Sequence, residues 1–255
     1  MEESYNKFVQ LESAVKAMPA TADGAFKLNE IVLNGEQARR FCSNVRGAIA
    51  MIDKLLDIFP NSASFSFNGG KDSTVVLHLL RLAMYKRGKS GKIKPALQTG
   101  AGGELITFYF DSDSCFDEEK EFVDSTATKF DISIMKLKCT FKEGLESLTK
   151  EHGVKAIFMG TRRADPDGKD IDKLSTSSPG WPAFLRVNPC LDWEYNDIWM
   201  FLRIFSFPYC SLYDSGYTSI GSKSKTKPNE ALKREDGTYM PAHMLEDEAK
   251  ERSER

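Results

Sequence analysis

No run of the chain approaches the ~18 uninterrupted apolar residues of a membrane-spanning helix, because Lys, Arg, Asp or His breaks each one. The opening Met1-Glu2-Glu3-Ser4-Tyr5-Asn6-Lys7 has neither a basic n-region nor an apolar h-region, so no secretory signal and a cytoplasmic location are expected. Cysteine is sparse and scattered: Cys42, Cys115, Cys139, Cys190 and Cys210 form no CxxC pair. That excludes a disulfide framework and a zinc ribbon, and leaves reduced thiols acting as small hydrophobes. Charge of one sign is missing too, with 35 Lys+Arg against 37 Asp+Glu for a net −2. A dedicated nucleic-acid binder is therefore disfavoured, as is any membrane association. No repeat of 20–50 residues is visible, which rules out solenoids and propellers. What is present is ordinary globular material: 255 residues, 41% hydrophobic and 28% charged, enough for one large domain over 1–255. A monomer or weak homo-oligomer is expected.

Periodicity divides that domain. Residues 1–60 read as a helical lead-in, irregular or partly helical over the first thirty. A long helix follows over Gln37–Phe59, with Phe41, Val45, Ala48, Ile49, Ile52, Leu55 and Leu56 on one face and Pro60 at its end. Residues 61–159 alternate. Strands are predicted at Ala63–Phe67, Leu105–Phe110, Ile132–Leu137 and Val154–Met159, with helices at Asp72–Tyr85, Phe116–Phe130 and Lys142–His152. Such alternation indicates an α/β fold: a mostly parallel twisted sheet with helices on both faces. Lys86–Gly103 is a long Lys- and Gly-rich loop. Over residues 160–255 an irregular segment takes over. Arg162–Pro189 carries no clear helix or strand and reads as a binding loop. Asp192–Phe205 is a helix that Asp192 can cap, and Ser206–Arg255 is turn-rich.

The strongest chemical signal is Ser66-Phe67-Asn68-Gly69-Gly70-Lys71-Asp72-Ser73-Thr74, between a strand and a helix. It is not a Walker A loop, since GxxxxGK[ST] is absent. Gly69 and Gly70 allow close backbone approach to an oxyanion, and the helix start adds free N–H groups and a positive dipole end. Lys71, Ser73 and Thr74 are candidates to touch phosphate oxygens. Asp72 would repel a bare phosphate. It fits either a magnesium-bound pyrophosphate or a helix cap.

Two other patterns fall away. Gly100-Ala101-Gly102-Gly103 precedes a strand, where a dinucleotide fingerprint should open a helix. Asp111-Ser112-Asp113 starts like a calcium loop, but Phe116 and Phe122 stand at its obligatory Gly and Glu positions, so a helix-capping acidic cluster is the better account. Gly160-Thr161-Arg162-Arg163-Ala164-Asp165-Pro166 directly follows the fourth strand. Arg162 and Arg163 offer planar donors to phosphate, and Asp165 can coordinate magnesium or orient a nucleophile; a solvated Arg pair beside an Asp-Pro turn is the alternative. Trp193, Ile198 and Trp199 have core spacing, whereas Trp181, between Gly180 and Pro182, is placed to stack on a planar ligand.

SFNGGKDS (66–73), GTRRADP (160–166), GWPAFLRVNP (180–189), LDWEYNDIW (191–199) and LYDSGYTSIGS (212–222) occur in this order, and the chain closes on ER-x-x-R. The combination resembles the eukaryotic-type FAD synthetases, FMN adenylyltransferases of the PAPS-reductase-like, N-type ATP pyrophosphatase superfamily. That resemblance implies adenylyl transfer from ATP to FMN with Mg2+, giving FAD and pyrophosphate. It further implies Asn68 and Asp72 in the ATP site, with Ser66, Gly69, Gly70, Lys71 and Ser73 completing the loop. Asp165 would act in catalysis and, with Asp72, in metal binding. Gly160, Arg162 and Arg163 would belong to the same site, Arg163 stabilising charge. Trp181 and Arg186 would line the flavin side, and Arg252 and Arg255 would close over the ligands. Ser178 stands where relatives often carry an acidic residue. Two other functions remain to be separated: a PAPS or APS reductase, which needs a late nucleophilic cysteine, and a non-catalytic nucleotide-binding module.

Overall fold

Successive side chains on a strand point to opposite faces of its sheet, and that alternation decides where the cavity of this protein lies. The computed structural model describes residues 1–17, 25–90, 105–166 and 168–255. Two short strands, β1 (Phe26–Leu28) and β2 (Ile31–Leu33), form an antiparallel hairpin. Six more build the main sheet: β3 (Ala63–Ser66), β4 (Ile106–Phe110), β5 (Ile134–Leu137), β6 (Ala156–Phe158), β7 (Leu174–Thr176) and β8 (Leu185–Val187). Their order is β5-β4-β3-β6-β8-β7, parallel throughout except for the antiparallel edge strand β7. The α/β fold with a mostly parallel sheet is therefore as predicted.

On one face, Phe65, Tyr109, Phe158 and Val187 join the large core. The helices α1 (Glu2–Ala17), α2 (Gly35–Ile58), α3 (Lys71–Lys89) and α6 (Tyr195–Ile204) supply most of its other side. The central one is α3, packed against the other three and buried nearly all round by Val75, Val76, Leu77, Leu79, Leu80 and Leu82. The alternate residues Ile106, Phe108, Phe110, Ile157 and Met159 face the other way. They form a smaller cluster with Leu145 and Leu148 of α5 (Phe141–Lys150). The helix between β4 and β5 is α4 (Asp117–Phe130).

Some expectations need correction. The first thirty residues are more regular than predicted: α1 buries Phe8, Leu11 and Val15, a three- and four-residue stripe obscured by polar neighbours. Arg162–Pro189 contains β7 and β8, too short for a period-2 signal. Helix α3 runs on through Lys89, so the predicted loop loses its first turn; its remainder, including the glycines at 100–103, lies outside the described residues. Asp192 does not cap α6. Glu194 is the N-cap, and its N–H donates to Asp197 (2.9 Å). Asp111 caps no helix but pairs with Lys120 (3.2 Å). Among the described residues no helix is long and apolar enough to cross a membrane.

Candidate active site

β3 ends beneath the loop that turns into α3, and Gly69 makes the turn with a φ of +73°. A Cβ there would also press against Val123 and Glu119 of α4, at 3.2 and 3.3 Å. Gly70 is the N-cap of α3 and offers no side chain to the free helix amides. Instead Asn68 folds back, its Oδ1 accepting from the Gly70 N–H (3.1 Å) and the Ser73 hydroxyl (2.6 Å). The Lys71 N–H donates to the Tyr213 hydroxyl (2.8 Å). The Thr74 hydroxyl is buried and donates to the Gly70 carbonyl (2.8 Å), so it faces the helix and not a ligand. Opposite, Gly160 closes the end of β6 against the start of α3. A Cβ on it would lie 2.6 Å from the Ser73 nitrogen. Only glycine permits that approach.

Asp72 sits at the second helical position and does not cap. Its Oδ1 accepts from Arg162 Nε (2.6 Å) and its Oδ2 from Lys71 Nζ (3.2 Å). Burial alone would raise this carboxyl, but Arg162 and then Lys71 outweigh it and hold the group below the usual carboxylate range. On their far side both cations reach Glu251: Lys71 at 2.6 Å and Arg162 through Nη2. Lys71 and Arg162 are almost wholly buried, and the Lys71 ammonium also lies over the Tyr195 and Tyr213 rings (5.4 and 5.8 Å). Both therefore sit below the loop, and neither head group is presented as a free phosphate ligand.

Arg163 is likewise turned away from the cavity. Its guanidinium binds Asp192 (2.6 and 2.9 Å) and the Ile171 carbonyl (3.3 Å), bracing the segment ahead of β7. Asp165 faces the cavity. Its Oδ2 accepts the Arg162 N–H (2.9 Å), and its Oδ1 accepts from Arg252. Arg255 donates to the Ser219 hydroxyl (3.0 Å), and Arg186 to the Ser178 hydroxyl (3.0 Å). Among the described residues these two cavity-lining arginines meet no carboxylate at ion-pair distance. Trp181 is 43% exposed at the cavity rim, where the positive φ of Gly180 (+80°) turns the chain.

These groups share one cavity of about 1010 Å³. It brings together Ser66, Asn68, Gly70, Lys71, Asp72, Ser73, Gly160, Asp165, Trp181, Arg186, Arg252 and Arg255 from the predicted set, and leaves Gly69, Arg162 and Arg163 outside its lining. Its apolar floor is the sheet face that α5 covers only in part: Phe108, Phe110, Ile157, Met159 and Phe184, with Phe141 across from Phe110 (ring centroids 4.5 Å apart). Sequence reasoning missed this floor, although the strand alternation that creates it was readable. It also missed Tyr213 and Glu251, which stand inside recognised blocks without a signal of their own. Among the described residues no group of three or more His, Cys, Asp or Glu could hold a metal ion.

The chain matches the phosphoadenosine phosphosulfate reductase domain over residues 62–228. It is 41% identical over 197 residues to a probable FAD synthase of Schizosaccharomyces pombe, covering 77% of this chain and 72% of that one. It is 34% identical to a probable FAD synthase of Caenorhabditis briggsae, covering 91% of this chain but spanning only 43% of that relative's length. Its fold matches a crystal structure of Candida glabrata FMN adenylyltransferase in complex with FAD and inorganic pyrophosphate. There the TM-score is 0.78 at 23% identity, over 99% of this chain and 98% of the other.

Proposed function

The chain belongs to the FAD synthase family, within the wider phosphoadenosine phosphosulfate reductase domain family, and from that premise we propose that it transfers the adenylyl group of ATP to FMN, yielding FAD and pyrophosphate. The observation that carries this reading is the single cavity in which an anion-binding helix start, two uncompensated arginines and an apolar sheet face meet. A dinucleotide with two flat ring systems joined by phosphates has that pattern of polarity.

In the proposed reaction an oxygen of the FMN phosphate attacks the α-phosphorus of ATP, and the bond from that phosphorus to the β-bridging oxygen breaks. The pyrophosphate takes up the electron pair and departs toward Gly69 and Gly70. A phosphate monoester is already ionised at neutral pH, so no general base is required. The protein's contribution is positioning and charge stabilisation. Arg186 and Arg255 are suited to anionic oxygens because, among the described residues, no carboxylate lies at ion-pair distance from either. The phosphates would displace Asn68 Oδ1 from the Gly70 amide and the Ser73 hydroxyl. Trp181 supplies a rim for a planar ring, and Ser178 holds Arg186 through a neutral hydroxyl.

Asp72 and Asp165 are the carboxylates on the cavity wall, and both are already ion-paired. Two such groups suit Mg2+ carried in by a nucleotide, which keeps phosphate and water ligands. Bound there, the ion would neutralise charge developing on the leaving pyrophosphate.

The reductase alternative finds no support. Cys210, the last cysteine in the sequence, is buried and its thiol is pushed up to about 11 by that burial, the opposite of an activated nucleophile. Mixing the protein with Mg-ATP and FMN should quench flavin fluorescence as FAD forms and release one pyrophosphate per FAD. Binding of both substrates with no pyrophosphate released would instead establish a binding module.

A further inference from the structure

Beneath the phosphate loop lies a closed ring of four charges, of which the proposed reaction uses only Asp72. Lys71 and Arg162 each bridge Asp72 on the cavity side and Glu251 on the inner side. One oxygen of Glu251, Oε1, accepts from both cations, and the residue is only 4% exposed. Burying two cations against Asp72 alone would leave one elementary charge unbalanced under the loop, and charges so placed act strongly because little water screens them.

The surrounding tail has seats besides this carboxylate. The Glu251 carbonyl accepts from the Thr218 hydroxyl (2.7 Å), and Asn229 donates to the Lys250 carbonyl (2.7 Å). Lys227 N–H donates to the Glu254 carbonyl (3.0 Å), and Arg252 and Arg255 have their own partners. The charge of Glu251 is thus not the tail's sole anchor among the described residues.

We propose that Glu251 is a positioning residue that holds Lys71 and Arg162 off the phosphates and cancels their charge, so that the loop grips pyrophosphate weakly enough to release it. This rests on the adenylyl-transfer reading. With Glu251 in place the leaving group meets backbone amides, Ser73 and the tail arginines. Without its charge, Lys71 and Arg162 pull on the same anion from below.

The test is calorimetric binding of Mg-pyrophosphate to the wild-type protein and to Glu251→Gln, which keeps the side chain's length and removes its charge, alongside steady-state FAD synthesis. One uncompensated charge should tighten pyrophosphate binding on the order of tenfold, and kcat should fall by a similar factor while KM for ATP falls or stays constant. A role in seating the tail alone would weaken pyrophosphate, ATP and FMN together. Unchanged or weakened pyrophosphate binding in folded Glu251→Gln overturns the proposal. Should that variant not fold, the charge-balanced Lys71→Met/Glu251→Gln decides: wild-type-like pyrophosphate affinity supports the proposal, and weakened affinity shows Lys71 binding phosphate directly and overturns it. A wild-type protein that makes no FAD would sink the adenylyl-transfer reading, whereas wild-type synthesis with no calorimetric change would sink only the role of Glu251.

Discussion

The segment from β3 through α3 and the segment from residue 206 onward meet at the same cavity but are held together by different forces. In the first, backbone polar groups are satisfied by ladder and helix bonds, and the order comes from burial of side chains such as Phe65, Val76 and Leu79. In the second, regular structure is limited to four short 3-10 helices and a single isolated bridge between Lys233 and Tyr239. Its backbone groups still need partners once buried, and turn bonds between backbone groups, supplemented by polar side chains, provide them. Asn229, 1% exposed, donates to Thr218 and to the Lys250 carbonyl while its own oxygen caps Ala231. The candidate active site lies where the two kinds of order touch: a rigid floor built by apolar packing, and a polar cover fastened by individual hydrogen bonds.

That contrast can be broken experimentally. Leu79→Ala, deep in the packed half, should cost about 2–5 kcal/mol and lower the melting temperature reported by every probe, with kinetic constants unchanged in the fraction that remains folded. Asp72→Ala and Asp165→Ala lie on the cavity between the two halves; each should lower turnover by ~10²-fold or more. If both keep normal turnover of ATP and FMN, the chemistry belongs elsewhere. Gly160→Ala drives a Cβ into the backbone of Ser73 and should cost about 1–3 kcal/mol, with kcat falling because the loop is displaced. Asn229→Ala should also cost about 1–3 kcal/mol, but selectively: the tail should become protease-sensitive and both KM values rise, while amide exchange in α3 stays slow. Equal loosening of α3 would show that the two halves are one cooperative unit after all.

The smallest expected effect probes the contact between them from below. Burial pushes the Glu119 carboxyl, packed against Gly69, up to about 7. Its pKa is higher folded than unfolded, so the folded state holds a proton that the unfolded chain releases. The stability this confers is present at low pH and fades as pH rises from the unfolded value of 4.5 through about 7. Glu119→Gln should narrow the difference in melting temperature between about pH 5 and about pH 8, and an unaltered difference would refute the assignment.

How much of this was readable in the sequence follows the same division. The parallel sheet, the long helix α2 and the phosphate loop were legible because burial imposes periodicity and sharp turns demand glycine. Trp193, Ile198 and Trp199 were rightly placed in the core, all being buried. The roles of charged residues were not legible, because pairing is decided between residues distant in the chain. Arg163 finds Asp192, 29 positions on, and Lys71 finds Glu251, 180 positions on. Nothing local to either residue announces its partner. For the same reason Asp192 was read as a cap when it is the counter-ion of Arg163 and Lys173. The β7–β8 hairpin escaped because three residues per strand cannot show a repeat.

Asn68 carries a consequence for how the proposed nucleotide would be received. Its amide oxygen rests on the Gly70 N–H and the Ser73 hydroxyl, two donors suited to a phosphate oxygen. In the proposed reaction, nucleotide capture is an exchange of one acceptor for another on a loop already folded. The energy gained is the margin by which an anion outcompetes a neutral amide, so discrimination favours charge over shape at this point. An Asn68→Asp substitution would install a resident competitor with a charge of its own, and the loop would then recognise itself in preference to its substrate.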